Sequence, residues 1–147
     1  MQGKILVGYD DTESAQRALS RALIFARAFN AKLVVGSVVP LMVSVGRGMG
    51  AVDPVSNEEE HQRQLDSARA LIAADTATPA VSVEYVTAVG DPVDTLVELA
   101  DRHDAQLIVV GTREPSLVAR FFGQSVSAGV ARHAHRDVLV VHGGNGR

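Results

Sequence analysis

Hydrophobic residues fall into five short runs along this chain, separated by segments of helical period. The runs cover residues 4–8, 33–39, 81–86, 107–110 and 137–142. Near-continuous apolar runs are typical of strands covered on both faces, as in parallel sheets. The run at 81–86 instead alternates apolar and polar residues, which predicts a half-exposed edge strand.

Between the runs, apolar residues recur every three or four positions, as in amphipathic helices. In the first such segment they are Ala15, Ala18, Leu19, Ala22, Leu23, Ala26 and Phe29. Thr12 is placed to cap this helix, and Asn30 to end it in a left-handed conformation. Asp91 followed by Pro92 marks the start of another helix.

Strands that alternate with helical segments predict an α/β fold, here a single doubly wound five-stranded parallel sheet with helices on both faces. The 147 residues suffice for one such domain. Ligands of these sheets bind beyond the carboxyl ends of the strands. In this chain those ends are residues 8–10, 38–39 and 110–113.

Two stretches break the pattern. Residues 41–57 contain glycine at 46, 48 and 50 and predict a flexible loop, and the tail at 143–147 is expected to fray. A helix is expected to follow the loop, capped by Ser56 or Asn57. The acidic run at 58–60 would then lie in its first turn, as a solvated helix start and not a metal site.

Composition narrows the classes of partner. The formal net charge is −3 and there is no basic block, which argues against nucleic acid as a partner. The chain has no cysteine, which excludes disulfides and thiolate metal sites. No apolar run approaches the roughly 20 residues of a membrane span. The start M-Q-G-K-I-L-V runs into a strand without an apolar signal region, so we expect a cytoplasmic protein without a membrane partner.

The connection after the fourth run carries candidate binding chemistry. An apolar run ends at Gly111, and Ser125 precedes a helical segment at 126–134. A strand, a glycine loop and a serine at a helix start suggest a phosphate cradle, because free N–H groups at a helix start favour an anion. An ordinary strand-to-helix connection has the same spacing, so both interpretations stay open.

Three segments together resemble one known family. They are I-L-V-G-Y-D-D-T-E-S at the start, V-G-D-P at 89–92 and R-H-A-H-R-D-V-L-V-V near the end. In these segments and over its full length, 1–147, the chain resembles the universal stress protein family. The resemblance implies a Rossmann-like, adenine nucleotide α-hydrolase-like domain. Asp10 takes the position of the family aspartate, and Asp11 stands where glycine is usual.

The resemblance also implies a nucleotide site. ATP-binding members carry G-x2-G-x9-G-[S/T], of which Gly111 and Ser125 match, while Glu114 and Gln124 replace the second and third glycines. The implied adenine and ribose contacts are Gly8, Tyr9, Asp10, Val38, Val110 and Gly111. The implied phosphate contacts are Arg113, Ser125, Val126 and Ser127.

The lost glycines imply a degenerate site that binds ATP weakly or not at all and favours AMP or cyclic AMP. Mg²⁺ is expected only together with a nucleotide. The alternative within the family is a protein-interaction module that needs no nucleotide. A nucleotide hydrolase is a further alternative, but no serine lies in a nucleophile-elbow motif. We therefore expect a binding protein in stress response, and no catalytic residue.

A response-regulator receiver is a rival interpretation, because two aspartates follow the first strand and receivers are expected to share the sheet order. Receivers also need an aspartate after the third strand and a lysine after the fifth. This chain has no aspartate at 81–88 and no lysine beyond Lys32.

The last run predicts a partner. Residues 138–141 are all apolar, and an uncovered apolar strand at a sheet edge tends to associate. Pairing with a second copy across a two-fold axis would close that edge. We therefore expect a homodimer through the C-terminal strand, 138–142.

Overall fold

The computed structural model describes residues 3–40, 54–112 and 126–143. The elements in chain order are β1 (Lys4–Gly8), α1 (Glu13–Phe29), β2 (Lys32–Val39), α2 (Pro54–Ala74), β3 (Val83–Val89), α3 (Pro92–Arg102), β4 (Leu107–Gly111), α4 (Val126–His133) and β5 (Asp137–Val141). In these ranges no helix has both the length and the apolar content required to cross a bilayer. The predicted loop at 41–57 lies outside the described residues as far as residue 53, and the predicted frayed tail from residue 144.

The five strands form one parallel sheet in the order β3-β2-β1-β4-β5. The predicted fold class is therefore confirmed. The expectation that receivers share this order is wrong, since their order is 2-1-3-4-5 and places the third strand beside the first. Here β3 pairs with the outer side of β2, and the chain crosses to the other side of β1 only with β4.

Each inner strand sends alternate side chains to opposite faces of the sheet. Ile5 and Val7 pack with α1 and α2, whereas Leu6 packs with α3 on the other face. The same alternation holds along β2 and β4, so almost every side chain of these strands is buried. Burial on both faces explains why the inner strands are continuous apolar runs in the sequence.

Three helix ends lie at the predicted residues. Thr12 Oγ1 accepts a hydrogen bond from the backbone N–H of Ala15 at 3.2 Å and caps α1. Asn30 ends α1 with a φ of 54°. Asp91 accepts from the N–H of Asp94 at 3.0 Å and caps α3, which begins at Pro92.

The start of α2 differs from the prediction. The helix begins at Pro54, so neither Ser56 nor Asn57 is its cap, and the acidic run at 58–60 does not lie in its first turn. Proline suits the first helical position because its φ is already fixed and no partner is needed there for an N–H. The pair Asp53-Pro54 repeats the Asp91-Pro92 pair that begins α3, so the sequence does contain a signal for this helix start.

The third strand is an edge strand as predicted, but it spans Val83–Val89 and not 81–86. It pairs with β2 over seven residues, from Leu33 with Val83 to Val39 with Val89. The end of β2 therefore determines the end of β3. The fifth strand agrees with the prediction except that it ends at Val141.

Gly111 lies where β4 meets the first turn of α1. A Cβ added to Gly111 would lie 2.3 Å from the carbonyl oxygen of Ser14, which is backbone and cannot rotate away. A Cβ on Gly36 would come no closer than 3.4 Å to its neighbours, an ordinary contact with Leu6 and Leu99. The two glycines therefore differ in how much space they leave.

We predict that Gly111→Ala lowers the free energy of unfolding by about 1–3 kcal/mol, because the added methyl group forces α1 away from the sheet. Gly36→Ala is the control and should change it by less than about 1 kcal/mol. Urea unfolding followed by circular dichroism measures both. Equal losses in the two variants would contradict the close approach at Gly111.

Candidate functional site

The carboxyl ends of β1, β2 and β4 border a cavity of about 290 Å³. The chain leaves β1 toward β2 on one side and returns on the other side with β4, so β1 is the switch point of the sheet. Open α/β sheets bind ligands in the crevice at this point. The cavity is lined by Gly8, Tyr9, Asp10, Thr12, Ser14, Ala15, Gly36, Val38, Pro40, Glu60, Gln64, Pro92, Leu96, Val110, Gly111, Val126 and Ser127.

Most of the predicted site residues meet at this cavity. Eight of the ten line it, namely Gly8, Tyr9, Asp10, Val38, Val110, Gly111, Val126 and Ser127. The other two, Arg113 and Ser125, lie outside the described residues, as do Glu114 and Gln124. The cavity places the eight within reach of one ligand, and their contact with a ligand stays a prediction.

The turn after β1 carries the carboxylate of Asp10 at the cavity. Its Oδ1 accepts hydrogen bonds from the backbone N–H of Thr12 at 3.2 Å and from the Thr12 hydroxyl at 2.6 Å. Thr12 in turn caps α1. Because the same threonine holds the helix and the carboxylate, the position of Asp10 is fixed relative to α1.

Asp11 occupies the position where the family usually has glycine, and its φ is 64°. Left-handed backbone is easy for glycine and strained for other residues, with aspartate among the more tolerant. The side chain of Asp11 gains a partner on α2, since the Ser67 hydroxyl donates to its Oδ1. This contact offsets part of the strain and ties the turn to α2.

Tyr9 is buried beside this turn, with 2% of its surface exposed. Its hydroxyl lies 2.7 Å from Ser67 Oγ and 3.5 Å from Asp11 Oδ1, so Tyr9, Ser67 and Asp11 form one hydrogen-bonded cluster. Burial raises the pKa of Tyr9 above its ordinary value, and the carboxylate of Asp11 raises it further. Tyr9 therefore lines the cavity as a neutral phenol.

Three residues of α2 and one of β2 form a polar cluster next to the cavity. Gln64 Nε2 donates to Glu60 Oε1 at 2.9 Å, the Ser37 hydroxyl donates to Gln64 Oε1, and Ser37 Oγ lies 3.0 Å from His61 Nδ1. Ser37, His61 and Gln64 are all buried, and Glu60 and Gln64 line the cavity. We call these four residues the α2 relay.

A sequence profile of the universal stress protein family matches residues 1–142. The chain belongs to the universal stress protein family. A universal stress protein of Mycobacterium tuberculosis is 36% identical over 142 residues, which cover 94% of this chain and 94% of that protein. One from Synechocystis is 28% identical over 149 residues, with 95% and 97% covered.

Solved structures of the family share the fold. A universal stress protein crystallised in complex with cAMP is 34% identical and superposes with a TM-score of 0.67, over 96% of this chain and 97% of that one. UspA from Lactobacillus plantarum is 27% identical with a TM-score of 0.76, over 95% and 97%.

The motif of the universal stress proteins did not point to the α2 relay. The sequence did contain a signal, because Glu60, His61 and Gln64 recur at helical spacing just before the apolar positions of the same helix. The sequence predicts that the acidic run is solvated. That is correct for Glu58 and Glu59, which are exposed, and wrong for Glu60.

The charge of Glu60 determines which group donates and which accepts in each hydrogen bond of the α2 relay. An ionised carboxylate only accepts, so Gln64 must turn its Nε2 to Glu60 and its Oε1 to Ser37. Ser37 then donates its proton to Gln64, which leaves its lone pairs for His61. His61 must therefore carry a proton on Nδ1.

Burial lowers the pKa of His61 below its ordinary value, although the negative charge of Glu58 acts in the opposite direction. Between the folded and unfolded pKa values the unfolded chain binds more protons, so the free energy of unfolding decreases as the pH falls through that range. The range lies below the ordinary histidine value of about 6.5.

We predict that His61→Asn removes this contribution, because the asparagine side-chain N–H takes the place of Nδ1–H without titrating. The free energy of unfolding of the wild type, minus that of the variant, should decrease as the pH falls through the range below about 6.5. Urea unfolding at several pH values measures the difference, in which the other titrating groups cancel. Parallel pH curves would contradict a buried neutral His61.

Proposed function

We propose that this universal stress protein is a binding module for an adenine nucleotide with few phosphates. AMP or cyclic AMP would be the ligand, and ATP would bind weakly or not at all. The observation that carries the proposal is the charge of the cavity at the switch point. Its described lining contains two carboxylates, Asp10 and Glu60, and no lysine, arginine or histidine.

The described cavity suits the nucleoside part of such a ligand. Its volume of about 290 Å³ is close to the lower end of the roughly 300–1,000 Å³ of small-molecule sites. Apolar side chains of Val38, Leu96 and Val110 provide surfaces for a flat base. Asp10 offers acceptor oxygens to a sugar hydroxyl at the end of β1.

The phosphate end would face α4. Val126 and Ser127 line the cavity at the start of this helix, where the positive end of the helix dipole favours an anion. The implied partners Arg113 and Ser125 precede the helix in sequence. One phosphate therefore has a place in the site.

Further phosphates meet repulsion. Two like charges 4 Å apart repel by about 1 kcal/mol in water and by about 4 kcal/mol at an effective dielectric of 20. Asp10 and Glu60 give the cavity lining negative charge, although Arg63 pairs with Glu60, and Glu114 adds a carboxylate at a position where ATP-binding members have glycine. Repulsion grows with the number of phosphates, so AMP and cyclic AMP would lose less than ATP.

One solved relative supports cyclic AMP as a ligand. The solved universal stress protein that was crystallised with cAMP is 34% identical to this chain and aligns with nearly all of it. Mg²⁺ would enter only with a nucleotide. Among residues 3–40, 54–112 and 126–143, no three acidic or histidine side chains are grouped so that they could hold a metal ion.

We predict that wild-type protein binds AMP or cyclic AMP more tightly than ATP. The double variant Glu114→Gly, Gln124→Gly should gain most for ATP, by about tenfold or more, because it loses one charge and regains close backbone approach to phosphate. Isothermal calorimetry with the three nucleotides measures this. Micromolar ATP binding by the wild type, or no gain in the double variant, would contradict the proposal.

The second candidate is an interaction module that needs no nucleotide, and β5 favours it. This strand is a sheet edge, and Val138, Leu139 and Val140 on it are only half buried. We propose that β5 pairs with its own copy across a two-fold axis, which would satisfy its free backbone groups. Such a homodimer is compatible with either function.

We predict that Val140→Lys gives a monomer in sedimentation velocity, because a charged side chain would lie in the apolar dimer contact. Circular dichroism serves as the control for folding, since Val140 also packs partly against the core. A folded variant that remains a dimer would place the contact elsewhere than at β5.

A further inference from the structure

We propose that Glu60 selects the ligand of this cavity by accepting a hydrogen bond from one of its donor groups. The donor is the exocyclic amine of the adenine base or the 2′-hydroxyl of the sugar. The inference rests on the proposed nucleotide function and adds to it a specificity-determining residue outside the family motif.

The position of Glu60 is the first argument. It lies one helical turn before Gln64 on α2, and both side chains line the cavity across from the strand ends. The Glu60 side chain is 32% exposed, so its carboxylate is partly shielded from water. A hydrogen bond to a partly shielded carboxylate contributes more than one on an open surface.

The α2 relay provides the second argument, because it fixes the carboxylate before any ligand arrives. Gln64 holds Glu60 Oε1 and is itself held by Ser37, which is completely buried in β2. Arg63 pairs with the other carboxylate oxygen from the solvent side. A side chain held from two directions loses little conformational freedom when a ligand binds.

The chemistry of the carboxylate determines which ligand groups it tolerates. Each oxygen of an ionised carboxylate can accept more than one hydrogen bond and donates none. An amine or hydroxyl that faces Glu60 is therefore satisfied. A base carbonyl at the same place, as in inosine, would set oxygen lone pairs against a negative charge.

Three ligands with the same phosphate test the proposal, since their repulsion from the site is equal. AMP has both donors, IMP lacks the base amine, and 2′-deoxy-AMP lacks one sugar hydroxyl. We expect wild-type protein to bind one of the two reduced ligands roughly tenfold or more weakly than AMP. The ligand that loses affinity identifies the donor that Glu60 contacts.

The variant Glu60→Gln should bring this ratio of affinities close to one, since an amide can donate as well as accept. Glu60→Asp keeps the charge but withdraws the oxygens, and it should reduce the ratio as well. Glu59→Gln is the matched control, because Glu59 is the exposed neighbour and its loss changes the net charge equally. Calorimetry gives the affinities, and thermal unfolding checks that each variant folds.

Two results would overturn the inference alone. One is a ratio that stays unchanged in both Glu60 variants while the wild type binds AMP. The other is an affinity that rises equally for all three ligands in Glu60→Gln. That result would show that Glu60 acts only through its repulsive charge. Failure of the wild type to bind any nucleotide would overturn the proposed function and this inference together.

Discussion

The position of β1 between β2 and β4 is the constraint on which the rest of this molecule depends. The chain leaves β1 through α1 to reach β2, continues outward to β3, and must then cross the sheet through α3 to reach β4. The helices therefore cover both faces, with α1 after β1 on one face and α4 after β4 on the other. A crevice at the carboxyl end of β1 follows from this connectivity and not from any one side chain.

Next to the crevice, the backbone at the end of β4 closely approaches the backbone in the first turn of α1. Gly111 ends β4 directly against the carbonyl of Ser14, at a distance that no Cβ could occupy. The first turn of α1 thereby lies low on the sheet, and Asp10 and Thr12 lie at the rim. A residue that the family motif associates with nucleotide binding thus also has a packing role, so loss of binding in a Gly111 variant would not by itself identify a ligand contact.

Local chemistry determined what the sequence could predict. Thr12, Asn30 and Asp91 act within a few residues of their own positions, so the pattern located three helix ends. The length of β3 depends on pairing with β2, and the α2 relay joins Ser37 to a helix that begins 17 positions later. Such long-range contacts leave only weak signals, here a serine inside an apolar strand and three polar residues at helical spacing.

The pair Asp53-Pro54 is a sequence signal for the start of α2, and the position of this start bears on the site. Because the helix begins at Pro54, the acidic run lies in its second turn and not at the helix start. Glu60 of this run lines the cavity, while Glu58 and Glu59 are exposed. Which of three adjacent carboxylates reaches the cavity depends on how the helix packs against the sheet, and the acidic pattern alone does not contain that information.

Asp11 and the α2 relay together explain how α2 is held over the crevice. Ser67 ties the turn after β1 to the middle of the helix, while Ser37 ties β2 to its first half. Both ties are hydrogen bonds between side chains near the carboxyl ends of β1 and β2. Hydrogen bonds are suited to this place, because large apolar side chains packed between α2 and the strand ends would fill the crevice.

The two ends of the cavity consequently differ in what they attract. The α2 side presents the carboxylate of Glu60, while the α4 side has the positive end of a helix dipole near Val126 and Ser127. A ligand with hydrogen-bond donors at one end and an anion at the other is oriented by this difference, and the reverse orientation places like charges together. Orientation would therefore come from electrostatics, and the apolar walls of Val38 and Leu96 would accept a flat group between the two ends.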